Sequence, residues 1–403
     1  MTAERTALSD LPAAARAVLP EIVGIRRRLH ARPEIGLQLP LTQQAVVEEL
    51  QKLGVEPRLG TRTTSVTAII EGARPGPTIL LRADMDALPL QEDTGLEFAS
   101  QVAGTMHACG HDTHVAMLLG GARLLRDRRA EVAGRVLLMF QPGEEGFHGA
   151  RYMLEEGLLG EDAGDVTGAF AIHITTHYAS GTINLKPGAE MAAADTIRIT
   201  VRGRGGHASA PHAAADPITV AAEIVLALQV MVTRRIDAFD PAVITIANIV
   251  AGTTTNIIPE TAFIQGTMRT VSEATRVATR EHIRRVAAGI AAAHAVTAEV
   301  DIEPGYPVTV NDPGFTEFVT GVATDLLGAG AVATMPAPIM GAEDFSYVLQ
   351  QVPGAMVFLG ARQAELDPAT APQNHSNLVV FDEEAMATGA ALYAAIALRH
   401  LAG

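Results

Sequence analysis

Residues 77–89 read PTILLRADMDALP. A short, continuous apolar run with a β-branched start, broken by proline and ending in Asp84 and Asp86, predicts a strand buried on both faces. Other segments of the same kind flank it: SVTAIIEG (65–72), GRVLLMFQP (134–142) and GAFAIH (168–173). Between them lie helical stretches, VAMLLGGARLLRD (115–127) and a segment starting near Gly149. Strands alternating with helices predict an α/β unit with a mainly parallel sheet covered by helices. Two helices precede it. Ile22, Ile25 and Leu29 share a face, as do Val46, Val47 and Leu50, and Pro33 and Gly36 break the chain between them.

The middle of the chain changes pattern. TIRITVRG, a helix from Asp216 to about Thr233, AVITIANIVAG, TAFIQGTMRT, a helix capped by Ser272 and AVTAEVDIE give the order β-α-β-β-α-β. That order is the ferredoxin-like split unit, and it predicts a small domain, 189–303, inserted into a larger one made of 1–188 and 304–403. The alternation resumes after Pro304 with a helix around Phe315 to Leu327, the strand GAMVFLG and a terminal helix from about Asp382.

A formal net charge of −15 argues against a nucleic-acid or anionic-membrane surface, which would need clustered Lys and Arg. The first twenty residues carry acids and prolines where a signal peptide needs an unbroken apolar core. No apolar run in the sequence is expected to reach the roughly 18 residues of a spanning helix. The expectation is a cytoplasmic protein.

In parallel sheets, chemistry collects beyond the carboxyl ends of the strands. Asp84 and Asp86 follow the first strand; Met106–His114, MHACGHDTH, follows on a loop and holds Cys109, the only cysteine, with His111. Glu144 and Glu145 follow LLMFQP, His173 ends GAFAI, and His375 stands in QNHSN after the last strand. Each has an ordinary explanation alone: acids at a helix start, a packed histidine, a turn cap. Their convergence on one rim points to a metal site of mixed sulfur, nitrogen and oxygen donors. Adjacent glutamates suit such a site, since one can ligate while the other takes a proton from water.

These residues resemble the two-metal amidohydrolases of the aminoacylase and carboxypeptidase group, in the branch of hippurate hydrolases, auxin-conjugate hydrolases and bacterial N-acyl-amino-acid amidohydrolases. HARPEIG, LRADMDALPL, MHACGHD, FQPGEEG, GRGGHASAPH, TTTNIIPE, GTMRT and MGAEDFSY occur in the family's order, nearly end to end. The resemblance implies a phosphorylase/hydrolase-like catalytic domain with the inserted domain acting as a lid and as the surface of a homodimer. It implies that Cys109, His111, Glu145, His173 and His375 bind two divalent ions (Zn, Mn, Co or Ni), with Cys109 bridging. Glu144 would be the general base acting with a metal-bridging hydroxide. His207 would hold the oxyanion, Asn256 would assist, Arg269 would take the substrate carboxylate, and Gly341 would offer backbone contact near Glu343. Asp84 and Asp86 would support the site without ligating.

The implied reaction is hydrolysis of the amide bond of a small-molecule N-acyl-L-amino acid. The rivals are a dipeptidase or carboxypeptidase on the same scaffold and a non-catalytic binding protein. After His173 the branch often has an aromatic residue and a proline; here ITTHYASG follows and brings an extra imidazole, His177. It is read as a solvated loop residue or a substrate contact.

Overall fold

A computed structural model describes residues 8–402, so the sequence reading of positions 1–7 lies outside the described residues. The chain forms two compact units. The larger holds the chain up to Gly188, Val310–Ala337 and Tyr347 onward; the smaller holds Ala189–Thr309 and Pro338–Ser346. The sequence division put 304–403 wholly in the larger domain, and the difference has a physical source. Arg276 donates to the Gly305 carbonyl and Glu273 accepts the Val308 N–H, while Ala192 donates to the carbonyls of Ile339 and Gly341. These bonds tie 305–309 and the MGAEDF segment to the smaller unit.

The larger unit is built on an eight-stranded sheet. Its spatial order is Pro57–Leu59, Val66–Glu71, Ala133–Gln141, Arg74–Asp84, Val166–Ala179, Gly354–Arg362, Ile183–Leu185 and Val332–Thr334. The centre is parallel: Arg74–Asp84 pairs in parallel with both neighbours, and Val166–Ala179 does so with Gly354–Arg362. Antiparallel pairs join Val66–Glu71 to its two neighbours, and join Ile183–Leu185 to Gly354–Arg362. Thr78 to Asp84 are buried without a break, as a strand covered on both faces requires. Helices Leu11–His30, His111–Asp127 and Ala385–Leu401 pack together against the sheet around Ile22, Leu118, Phe140, Phe170 and Tyr393.

One strand differs from expectation. His173 does not end its strand, which continues to Ala179. The pairing with the Asp84 strand does stop early, at Arg82 against Ala171, while the other edge keeps His173 beside Phe358. His173 therefore emerges beyond the shorter neighbour, and its side chain reaches the same rim.

In the smaller unit four antiparallel strands run in the order Ala242–Ala251, Thr261–Thr270, Ala193–Arg202, Thr297–Pro304, with helices Pro217–Arg235 and Glu273–Ala293 between them in the chain. Ala193–Arg202 alternates buried and half-buried positions, so one face packs. That face, with Ile197, Ile199, Val201 and Ile264, meets Val220, Ile224 and Leu228 of one helix and Ile283 and Ala287 of the other. Asp216 and Ser272 cap these helices, accepting the N–H of Ile218 and Thr275. Pro217–Arg235 corrects one sequence expectation. It has 19 residues and is apolar enough, by length and composition, to cross a membrane. Thr219, Glu223 and Gln229 break the apolar run of this continuous helix without lowering its mean hydropathy much. One face is core, and Leu226 and Val230 on the other are 69% and 60% exposed.

Candidate metal centre and active site

The loop Met106–Gly110 enters the helix His111–Asp127 through Gly110, which has φ +86°. A Cβ there would stand 2.4 Å from Ile174 Cγ2, so only glycine lets the loop press against the His173 strand. This close approach brings the Cys109 Sγ to 3.4 Å from His173 Nε2. From a third direction His375 Nε2 lies 3.3 Å from the same sulfur and 3.2 Å from Glu145 Oε1. His375 reaches in from a left-handed backbone, φ +69°, unusual for a residue with a side chain. Its N–H donates to the Ala108 carbonyl, and Asn374 Nδ2 donates to the carbonyls of Cys109 and Ile174, which fastens the two loops together.

Three overlapping groups result. The ligand atoms of Cys109, His111 and His173 lie within 4.8 Å of one another, as do those of Cys109, Glu145 and His375, and those of His111, Glu144 and Glu145. Donors around one ion, each about 2.0–2.3 Å from it, would have this spacing. Cys109 is common to the first two groups. Cys109, His111 and Glu144 are buried, and Glu145 nearly so.

Hydrogen bonds set which atoms face inward. His173 Nδ1 is 2.8 Å from the Ile174 carbonyl, which can only accept; Nδ1 is therefore protonated and the Nε2 lone pair points at the sulfur. Burial holds this histidine's pKa well below the ordinary imidazole value, so it is neutral and competent to ligate. Both His111 nitrogens are buried without a hydrogen-bond partner among the described residues. Asp84 and Asp86 flank that ring, one on each nitrogen at 3.5 Å. An orphaned imidazole between carboxylates and a thiol is poorly served by protein alone and well served by a cation.

The electrostatics agree. Burial opposes charging His111, but Asp84, Asp86 and Cys109 outweigh it and raise its pKa well above the ordinary value. Hydrogen bonds to Cys109 and Glu145 raise His375 to about 10. The cluster carries enough negative charge to hold protons tightly, and a divalent cation satisfies the same demand.

Asp84 and Asp86 have separate tasks. Asp86 Oδ1 accepts the Glu144 N–H at 2.9 Å and Oδ2 accepts the Glu145 N–H at 3.0 Å. Asp84 bridges the buried Arg82, at 2.8 Å, and His114 Nδ1, at 2.5 Å. His114 Nε2 in turn accepts the N–H of Ile174 at 2.7 Å, next to His173. Arg82, His114 and Asn374 are not among the residues expected from the sequence to form this site. Arg82 gave a usable signal, an arginine within a run otherwise apolar. Asn374 gave none, because its contacts, to the Cys109 and Ile174 carbonyls and the Cys109 sulfur, lie far away in the chain.

His177 lies on the strand, not in a loop, and is exposed, with its carbonyl accepting from Arg362. In the smaller unit His207 and Asn256 are joined by a two-stranded ribbon, Gly206–His207 against Ile257–Ile258. Arg269 sits on Thr261–Thr270, half-buried and without a carboxylate partner among the described residues; burial lowers its pKa. The Gly341 carbonyl accepts the N–H of Ala192 at 2.9 Å.

Comparison with known proteins gives the context for this geometry. The family model for peptidase family M20/M25/M40 matches residues 80–399. Thermostable carboxypeptidase 1 of Saccharolobus solfataricus is 42% identical over 94% of this chain and 95% of its own length. An N-acetylcysteine deacetylase of Bacillus subtilis is 39% identical over 94% and 96%. Among solved structures, a Bacillus subtilis dinuclear metal binding peptidase of the M20 family superposes with a TM-score of 0.83 at 36% identity, over 96% of this chain and 99% of the other. A family match over most of the chain and relatives this similar along nearly their whole length leave one assignment: the chain belongs to peptidase family M20/M25/M40 and is a hydrolase of that family.

Proposed function

We propose that the protein hydrolyses the amide bond of N-acyl-L-amino acids, releasing a carboxylic acid and a free amino acid, with two divalent cations held by Cys109, His111, Glu145, His173 and His375. The observation that carries this reading is Cys109 as the shared corner of two donor groups, with Glu144 fixed beside them. The donor set fits: one thiol that becomes a thiolate on ligation, a neutral His173, an orphaned His111 and a carboxylate. When bound, such cations supply the Lewis acidity that makes water acidic and polarises a carbonyl.

The chain's own residues supply the rest. Glu144 takes the proton of the attacking water and returns it to the departing amine. His207 donates to the oxygen that becomes anionic, Asn256 assists, Arg269 binds the substrate carboxylate as a two-pronged donor, and Gly341 offers its N–H near Glu343. In this reading the smaller unit is an inserted ferredoxin-like lid, and the protein is cytoplasmic. It is also a homodimer: beside Leu226 and Val230, the edge strand Ala242–Ala251 exposes Val243, Ile249 and Val250, and an open apolar edge favours a second copy. The relative named for N-acetylcysteine supports the acyl substrate.

The relative named as a carboxypeptidase favours a second reading, cleavage of peptides on the same site. The two separate in one assay. The protein is stripped with a chelator, reloaded with Zn, Mn, Co or Ni, and given N-acetyl and N-benzoyl amino acids alongside dipeptides. Metal-dependent release of amino acid from the acyl compounds supports the proposal; cleavage of dipeptides alone replaces it with the peptidase reading.

A further inference from the structure

We propose that Ser209 and Thr254 are positioning residues that fix the polarity of His207 and Asn256, so that the ribbon carrying them presents only N–H donors outward. The inference rests on the reading of these two residues as substrate contacts and adds how they are set for it.

The backbone N–H of Ser209 reaches His207 Nδ1 at 3.1 Å, and the Ser209 hydroxyl lies 2.7 Å from the same nitrogen. A backbone N–H can only donate. Nδ1 is therefore the lone-pair nitrogen, and the neutral ring carries its proton on Nε2. No side chain or backbone group among the described residues bonds Nε2, so that N–H is available to a ligand.

Asn256 is oriented in the same sense. Thr254 Oγ1 donates to Asn256 Oδ1 at 3.2 Å, which engages the carbonyl end of the amide and leaves the NH₂ end without a partner among the described residues. The two residues are mechanically linked. Ile257 stands opposite His207 in the ribbon, and the Asn256 carbonyl accepts the Ala208 N–H at 3.0 Å. Both His207 and Asn256 are exposed, so neither needs these bonds to satisfy a buried polar atom. What the bonds accomplish is direction: one hydroxyl residue occupies each acceptor, and both free ends are donors.

The recognised group is thereby an oxygen carrying negative charge, as an amide carbonyl does in its tetrahedral state. The opposite tautomer of His207, or a flipped Asn256, would aim a lone pair at that oxygen.

The test uses the full-length, metal-loaded protein labelled with ¹⁵N-histidine, with His207 assigned by its loss in the His207→Asn variant. A long-range ¹H–¹⁵N spectrum at neutral pH is expected to show a protonated Nε2 and an unprotonated Nδ1 for His207. A proton on Nδ1 overturns the proposal whether or not the protein is active. Kinetics give the second arm. The Ser209→Ala/Thr254→Val double variant is expected to lose about 10- to 100-fold in kcat on an N-acyl amino acid, the worth of two weakened hydrogen bonds. KM and metal content are expected to stay near those of the parent, and Ser209→Thr with Thr254→Ser to restore most turnover. A double variant within about twofold of the parent kcat overturns the proposal. A parent with no activity on any N-acyl amino acid would sink the substrate reading while the spectrum still decides the polarity of His207.

Discussion

One carboxylate, Asp86, accepts the backbone N–H of Glu144 at 2.9 Å and that of Glu145 at 3.0 Å. The backbones of two adjacent glutamates are thus fixed by a single buried anchor. Asp86→Asn keeps the size but offers one acceptor and one donor to two N–H groups. Turnover is expected to fall about 10- to 100-fold, as for other groups that orient ligands from behind. Metal stoichiometry, read by elemental analysis, should be kept. Wild-type kcat in Asp86→Asn would show that the anchor does not matter.

Removing the Glu144 carboxylate tests the chemistry instead of the scaffold. Glu144→Gln preserves the backbone bond to Asp86 and should leave both metals bound, while kcat falls by about 10²–10⁴, the range for a general base. Near-parental turnover would reject Glu144 as the base.

The grouping of these donors was legible in the chain because strand ends deliver side chains to one rim: Asp84 and Glu145 follow apolar runs directly, and Cys109 and His375 stand on loops that follow strands. His173 was legible only in part. Its strand runs on to Ala179, and nothing local reports that the neighbouring strand stops pairing at Arg82. The connections that orient the ligands were not legible at all. The bonds from Asp84 through His114 to Ile174 and from Asn374 to Cys109 depend on long-range register, which composition and periodicity do not encode. The ends of the smaller unit were misplaced for the same reason, since backbone bonds to Ile339 and Gly341 carry no sequence signal.

Arg82, Asp84 and His114 form a buried polar column, with side chains at most 1% exposed in each pair. Arg82→Met removes the guanidinium paired at 2.8 Å with a carboxylate that stays buried. Breaking one side of such a pair costs about 3–5 kcal/mol. Chemical denaturation of the metal-free protein should register that loss, whereas a cost below about 1 kcal/mol would mean that Asp84 is protonated or solvated in the variant.

Gly110→Ala isolates the close approach of the metal-site loop to the His173 strand. The residue has φ +86° and its new Cβ would overlap Ile174 Cγ2 at 2.4 Å, so backbone strain and overpacking add. A loss of about 2–4 kcal/mol is expected. Because the loop must back away from the strand, metal affinity measured by calorimetry should weaken as well. Unchanged affinity would show that the loop adapts without moving Cys109.

Metal binding should release protons, and the pH at which it does so follows from the cluster. In the metal-free protein, hydrogen bonds to Cys109 and Glu145 raise the His375 pKa to about 10, above the ordinary 6.5. A group raised in this way stabilises the folded metal-free protein fully below about pH 6.5, and that contribution disappears as pH rises through about 10. A cation needs the unprotonated imidazole and the thiolate, so binding below pH 10 must expel the His375 proton. Apparent affinity should therefore rise with pH between about 6.5 and 10. Titration calorimetry at pH 7.5 in buffers of differing ionisation enthalpy counts the protons directly, and His375→Ala should lower that count by about one. If the parent and the variant released the same number, His375 would not be the protonated member of the cluster, and its place as a ligand would have to be tested without the pH argument.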